Sequence, residues 1–186
     1  MSISRLWCFA CLCLIAWPSV AQHSAEHHHD HMMTIDRDGM VMNSNSEILP
    51  QDCSAVSVEL KIEVRVGRAY ARQGFTYGFN QHEWRVQPCA RLTVTLVNED
   101  EVRHQWMVHG LPRYLYPQGM FHLEASGGKS KTGTFILPSD KETYLAHCDI
   151  SQHMEKGLKG QVIVGDGNGV LPSIPGISGA RFPDEY

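Results

Sequence analysis

The chain has 186 residues, with 16 Lys and Arg against 20 Asp and Glu, and its formal net charge at pH 7 is −4. This balance argues against nucleic acid or anionic lipid as a binding partner, because both are themselves negatively charged. The length fits one domain with short flanking segments.

The first 21 residues have the pattern of an export signal. Residues 1–5 carry one positive charge, residues 6–17 are almost wholly apolar, and small residues end the segment at Ala21. The apolar run is too short to remain as a membrane span. We therefore predict cleavage after Ala21 and an exported protein without a membrane anchor.

Residues 22–50 are predicted to form a disordered tail, because they are polar and show no hydrophobic periodicity. The tail is rich in histidine and methionine, a composition typical of metal binding. Imidazole captures Cu(II), whereas clustered thioethers favour Cu(I). The tail residues expected to bind metal are His23, His27, His28, His29, His31, Met32, Met33, Met40 and Met42.

Residues 51–166 are predicted to form an all-β domain, a sandwich or barrel of short strands separated by turn residues. Strict alternation of apolar and polar residues marks strands at 56–66 and 91–97. Residues 68–88 give no clear pattern, and residues 120–125 fit either a strand or a loop. The Gly- and Pro-rich residues 167–186 are expected to lie over the surface as a tail. Further strands are expected near 105–108, 133–137, 143–147 and 161–164.

Three cysteines remain after the predicted cleavage, namely Cys53, Cys89 and Cys148. An exported protein meets an oxidising compartment, where two thiols tend to pair and an odd one needs a separate explanation. We predict a Cys53–Cys89 disulfide and assign Cys148 to a metal.

A candidate ligand set surrounds that cysteine. Cys148 ends a predicted strand, His153 follows five residues later, and His104 begins another strand far upstream. Two imidazoles and a thiolate in a trigonal arrangement suit copper in both of its oxidation states. A nucleophilic Cys148 paired with a neighbouring histidine is the competing reading, but it does not explain the spacing of His104 and His153.

These segments resemble the copper loops of cupredoxins. Residues 98–104 and the apolar strand after them look like the segment that supplies the first copper histidine. Residues 147–158 are similar to the type 1 copper loop of multicopper oxidases, His-Cys-His-Ile-x-Trp-His-Leu-Glu-x-Gly-Leu/Met. The resemblance covers about residues 95–165. It implies a Greek-key β-sandwich with one type 1-like copper on His104, Cys148 and His153.

The axial position of such a site has two candidates. The family loop places Leu158 there, and a non-coordinating axial residue tends to raise the reduction potential. Met154 could supply a thioether instead if the loop folds differently. We favour Leu158, because the oxidase residue that matches Met154 is usually a leucine.

The departures from the oxidase pattern indicate what the chain lacks. His109 and His147 match histidines that bind the oxygen-reducing copper cluster in those enzymes, but Asp149, Met107 and Leu111 replace three others. Four-electron reduction of dioxygen is therefore not expected. His109 and His147 either hydrogen-bond near the copper or form a second metal site. Met107 and Met120 are interpreted as packing residues, and His82 and His122 as ordinary polar residues.

With its tail, the chain resembles the CopI-type copper-tolerance proteins of the Gram-negative periplasm. The resemblance implies a periplasmic protein that sequesters copper on the tail and on one folded site, or that cycles Cu(I) to Cu(II). The alternatives are an electron carrier with a periplasmic redox partner and an oxidase of Cu(I). Both a monomer and a small homo-oligomer are compatible with the sequence.

Overall fold

A computed structural model describes residues 33–179 as eleven strands and two short 3₁₀ turns, Arg68–Tyr70 and Pro117–Gly119. The predicted export signal, the predicted tail residues 22–32 and the last seven residues lie outside the described part. The strands are β1 (Thr34–Asp36), β2 (Gly39–Met42), β3 (Glu59–Gly67), β4 (Gly78–Phe79), β5 (Glu83–Val86), β6 (Arg91–Asn98), β7 (His104–His109), β8 (Met120–Ala125), β9 (Ser130–Ile136), β10 (Thr143–His147) and β11 (Lys159–Val164).

The strands form two sheets packed face to face. The larger sheet has the order β1-β2-β8-β7-β10-β11-β5, and the smaller one has the order β4-β3-β6-β9. Because β9 crosses to the smaller sheet, β7 pairs with both β8 and β10. The predicted all-β Greek-key sandwich is confirmed.

The core lies between the sheets and follows from the alternation in the sequence. Along β6, Leu92, Val94 and Leu96 are buried, and the residues between them are half-buried. Trp106 and Phe121 of the larger sheet meet Phe135 of the smaller one, and the Phe121 and Phe135 rings stack at 4.4 Å. Burial of these large side chains supplies the main driving force for pairing the sheets.

The prediction of disorder throughout residues 22–50 is wrong for its second half. The β1–β2 hairpin adds to the edge of the larger sheet, where β2 pairs antiparallel with β8. Val41 is 8 % exposed and belongs to the core. One inward apolar side chain in a four-residue strand is too short a pattern to detect as periodicity. Met40 and Met42 therefore belong to a sheet and not to a disordered tail.

Two further segments are more ordered than their composition indicates. Residues 78–86 contribute β4 and β5, and β5 pairs in parallel with β11. In the segment 167–179, Ile174 is fully buried and Lys159 Nζ donates a hydrogen bond to the Pro172 carbonyl at 2.7 Å. Residues 33–179 include no helix with the length and apolar character of a membrane span.

The predicted disulfide is confirmed. Cys53 and Cys89 are bonded, with their Cα atoms 5.7 Å apart. Their bond ties the segment before β3 to the start of β6. Cys148 is buried and is the remaining unpaired cysteine of the described residues.

We predict that Tyr116→Phe lowers the free energy of unfolding by about 1–3 kcal/mol, the cost of unsatisfied buried polar groups. The Tyr116 hydroxyl is buried, donates to the Ile136 carbonyl at 2.6 Å and accepts from the Ile136 N–H at 2.9 Å. Urea denaturation measures the change. The control is Tyr114→Phe, because Tyr114 is 49 % exposed and its loss should change stability by less than about 0.5 kcal/mol. Equal effects of the two substitutions would contradict the prediction.

Candidate metal centre

Three side chains converge at one end of the sandwich. His104 begins β7, Cys148 directly follows β10, and His153 lies in the loop between β10 and β11. His104 Nδ1 is 3.2 Å from His153 Nδ1, which is 3.6 Å from Cys148 Sγ. Among residues 33–179, this is the one group of three His, Cys, Asp or Glu side chains whose ligand atoms all lie within 4.8 Å.

The spacing of these atoms fits a metal ion. An ion in a trigonal plane, about 2.0 Å from each nitrogen and 2.3 Å from the sulfur as for zinc, needs about 3.5 Å between the nitrogens and 3.7 Å from nitrogen to sulfur. The two distances above are close to these values, and the ligand atoms of the third pair, His104 and Cys148, lie within 4.8 Å of each other. His104 and Cys148 are fully buried and His153 is half-buried, so the candidate site is shielded and meets solvent beside His153. Two imidazoles and one thiolate are the donor set that suits copper.

Backbone hydrogen bonds hold the loop of residues 148–158. The Cys148 N–H donates to the Leu158 carbonyl, and the Leu158 N–H donates to the His153 carbonyl, both at 3.1 Å. Gln152 and Gly157 have positive φ angles, 67° and 116°. A glycine adopts the second of these without the steric strain that a side chain would cause. The loop thus holds Cys148 and His153 at a fixed separation before any ion binds.

The surroundings of Cys148 disfavour its thiolate unless a cation is close by. Burial raises the pKa of the Cys148 thiol to about 11, although hydrogen bonds from the backbone N–H groups of Ile150 and Gln105 oppose the shift. A thiolate at this position therefore requires a positive charge beside it, which a bound metal ion supplies. Burial also lowers the pKa of His104 and His153, so both imidazoles are neutral at pH 7 and able to bind metal.

A carboxylate orients the first histidine. Asp100 Oδ2 lies 2.8 Å from His104 Nε2, which directs Nδ1 of the same ring toward Cys148 and His153. The other oxygen, Asp100 Oδ1, accepts a hydrogen bond from the Arg68 N–H at 3.2 Å. Carboxylates that bond the second nitrogen of a ligand histidine fix its tautomer and ring orientation. Asp100 has this position here.

Asn98 stabilises the loop that carries Asp100. Its side chain is buried, its Oδ1 accepts the Asp100 N–H, and its Nδ2 donates to the Val102 and Ala125 carbonyls. These hydrogen bonds lie within the β6–β7 loop and at the end of β8.

Three residues around the candidate centre were not identified from the sequence. Asp100 is four residues before His104, so its spacing was a detectable signal. The Tyr77 ring packs against the His104 and His153 rings at 4.8 and 4.9 Å, but it comes from the segment without a clear pattern. Gln105 Oε1 accepts the Asp149 N–H at 3.1 Å. This hydrogen bond ties the Cys148 loop to β7.

The two candidates for the axial position lie in different surroundings. Leu158 is fully buried in the core cluster that also contains Cys148 and Tyr77. Met154 lines a surface cleft of about 350 Å³, together with Phe75, Lys159 and Ile174. Its place in that cleft favours Leu158 as the residue beside the candidate centre.

The remaining histidines are separate from the group of three. The His109 and His147 rings stack at 4.8 Å with an interplanar angle of 25°. Burial lowers the pKa of His109 and of His122. His82 Nδ1 is hydrogen-bonded to the Lys159 carbonyl at 2.7 Å, and its Nε2 is buried without a partner among the described residues.

No protein-family model and no curated protein matches the chain. Several solved structures resemble it at low identity. Auracyanin A, a "blue" copper protein from Chloroflexus aurantiacus, is 20% identical over 57% of this chain and 99% of its own, with a TM-score of 0.45. Auracyanin B is 18% identical over 66% and 94% of the two chains, with a TM-score of 0.47.

A multicopper oxidase, mgLAC, is 18% identical over 62% of this chain and 41% of its own, with a TM-score of 0.47. This chain therefore spans less than half of that oxidase. All three similarities are distant, so the function of the chain has to be argued from its own residues.

We predict that Asp100→Ala weakens copper binding about 10–100-fold, the usual cost of removing a group that orients a ligand. Asp100→Asn, which keeps a hydrogen-bond acceptor, should fall between Asp100→Ala and the unchanged chain. Competition with a copper chelator measures the affinity. The control is Glu101→Ala, an exposed acid at the next position. An affinity that responds equally to Asp100→Ala and Glu101→Ala would refute the orienting role.

Proposed function

We propose that this chain is a copper protein of the cupredoxin type, with one type 1-like ion held by His104, Cys148 and His153. The observation that carries this proposal is the convergence of two imidazole nitrogens and one thiol, at 3.2 and 3.6 Å, in a buried pocket. No carboxylate belongs to this group of three within residues 33–179. A set of nitrogen and sulfur donors favours copper over the hard cations that oxygen ligands select.

The residues around the ligands support redox use of the site. Copper bound there would supply a centre that gains and loses one electron with little change in geometry. Tyr77 covers the two histidine rings, the amides of Ile150 and Gln105 point at the cysteine sulfur, and the loop is held by its own hydrogen bonds. His153 is the half-buried ligand, and its ring edge is the natural path for an electron from a partner.

We further propose Leu158 for the axial side of the copper. A leucine there would offer no ligand atom, which would favour Cu(I) and raise the reduction potential of a bound copper. Met154, in the surface cleft, is then a packing residue.

The physiological role that we propose is copper tolerance in the periplasm. The support comes from the predicted export signal and from the five tail histidines, whose imidazoles would capture copper and raise its concentration next to the folded site. Copper would be sequestered, or cycled from Cu(I) to Cu(II). An electron carrier with a periplasmic redox partner and an oxidase of Cu(I) are the alternatives.

The test is copper stoichiometry together with the visible spectrum of the mature full-length chain. We expect an intense thiolate-to-copper band and more than one copper per chain. Replacing His23, His27, His28, His29 and His31 by Gln should remove copper without changing the band. An unchanged stoichiometry in that variant would favour an electron carrier, and dioxygen consumption on addition of Cu(I) would favour an oxidase.

Two substitutions test whether Cys148 is the source of the thiolate-to-copper band. Cys148→Ser should abolish the band, because the thiolate is the group that transfers charge to the metal. His82→Gln changes a buried histidine outside the group of three and should leave the band intact. A band that survives Cys148→Ser would rule out the proposed site.

A further inference from the structure

Histidine and methionine side chains gather on the outer face of the larger sheet. Strand register places Met42 of β2 opposite His122 of β8, His122 opposite Met107 of β7, and Met107 opposite His147 of β10. Their sequence neighbours Val41, Leu123, Trp106, Val108 and Ala146 point into the core. Because successive side chains on a strand point to opposite faces, the four residues share the outer face.

A second row lies beside the first. His109 of β7 is opposite Met120 of β8, two residues along from Met107 and on the same face. We call this surface the His/Met face, defined by Met42, Met107, His109, Met120, His122 and His147. It combines three imidazoles and three thioethers over four adjacent strands, with the thioether of Met107 at its centre.

One nitrogen of each imidazole on the His/Met face lacks a hydrogen-bond partner among the described residues. His109 Nε2, His122 Nε2 and His147 Nδ1 are all buried and unpaired within residues 33–179. His122 and His147 are only 4 % and 7 % exposed. Buried polar atoms without partners are rare and require an explanation, of which a bound ion is one. Other unpaired nitrogens occur elsewhere, but these three share one face.

Two of these rings lie side by side on adjacent strands. The His109 and His147 ring centroids are 4.8 Å apart, and those of His104 and His153 at the candidate metal centre are 5.0 Å apart. The His109 and His147 rings are stacked, at 25°. Because an ion binds in the plane of an imidazole, shared coordination requires one of the two rings to rotate about its side-chain torsions. Each ring has an unpaired nitrogen, so two nitrogen donors are available from adjacent strands.

The third donor on this face has to be a thioether. Within residues 33–179, His104, Cys148 and His153 are the one group of three nitrogen, thiol or carboxylate ligands at metal-binding distances. The nearby carboxylate of Glu124 is occupied, because it accepts from Gln105 Nε2 at 2.7 Å and pairs with Arg103 at 3.3 Å. Met107 lies opposite His147 and is 4 % exposed. Thioethers are soft ligands that select Cu(I) over the hard divalent cations.

We propose that the His/Met face is a second metal site, which binds one Cu(I) ion through His109, His147 and Met107. His122 faces Met107 from the other side and is the additional donor. The site does not depend on the copper at Cys148, which points into the core. It gives the chain a place for Cu(I) in the folded domain, apart from the tail.

The test uses a background in which the other copper sites are removed. The mature full-length chain carries Cys148→Ser, Gln replaces His23, His27, His28, His29 and His31, and Leu replaces Met32, Met33 and Met40. Cu(I) is titrated without oxygen against a chromophoric Cu(I) chelator. We expect about one tightly bound Cu(I) per chain, and selective shifts of the His109 and His147 imidazole signals in the NMR spectrum.

Single substitutions in this background decide the proposal. Met107→Leu conserves side-chain volume and should weaken Cu(I) binding at least about tenfold, while Cu(II) binding changes less than about twofold. His147→Gln should weaken binding of both ions. The matched controls are His82→Gln, another buried histidine with an unpaired nitrogen, and Met154→Leu, and both should bind Cu(I) as the background does. Unchanged Cu(I) affinity in Met107→Leu, or imidazole signals that do not shift, would overturn the proposal whatever the outcome at Cys148.

Discussion

The pairing of β7 with β10 is the constraint on which the rest of the site depends. These strands are antiparallel, with Met107 opposite His147. The start of β7 and the end of β10 therefore lie side by side at the same end of the sheet. His104 occupies the first of these ends, and Cys148 immediately follows the second. The loop of 148–158 then returns His153 to the same place. A shift of one residue in this register would turn every side chain of β10 to the other face.

The same register produces two chemical environments from adjacent residues. Cys148 lies in the core beside Leu158, whereas His147 lies on the outer face beside His109. The inner environment is buried, and burial raises the pKa of the Cys148 thiol. The thiolate therefore forms there only when a cation is present beside it. The outer one offers imidazoles and thioethers without a thiol. The proposed type 1-like copper and the proposed Cu(I) site therefore differ in donors because strands alternate.

The strands with long alternating patterns were predictable from the sequence. β6 alternates over eight residues, and its first three inward residues, Leu92, Val94 and Leu96, are apolar. The candidate ligand residues His104, Cys148 and His153 are predictable from their types, their spacing and the family resemblance. Their convergence to 3.2 and 3.6 Å depends on strand register, which no local pattern encodes. Asp100 had a detectable spacing of four residues before His104 but was not recognised.

Other features of the structure could not be predicted from local patterns in the sequence. Tyr77 lies in a segment with very short strands, and its contact with both histidine rings exists only in the folded sandwich. The β1–β2 hairpin has a single inward apolar residue, Val41, so its composition resembled disorder. His122 was interpreted as an ordinary polar residue, yet its Nε2 is buried without a partner in the described part of the chain. Its neighbours on the face come from β2 and β7, and this arrangement becomes visible only with the register.

Copper K-edge X-ray absorption tests the central claim most directly. The sample is the mature full-length chain with the five tail histidines replaced by Gln, loaded with one equivalent of Cu(II). The site predicts one sulfur and two imidazole nitrogens at bonding distance, with the sulfur lost in Cys148→Ser. A copper ion surrounded only by nitrogen and oxygen would contradict the assignment of His104, Cys148 and His153 as its ligands.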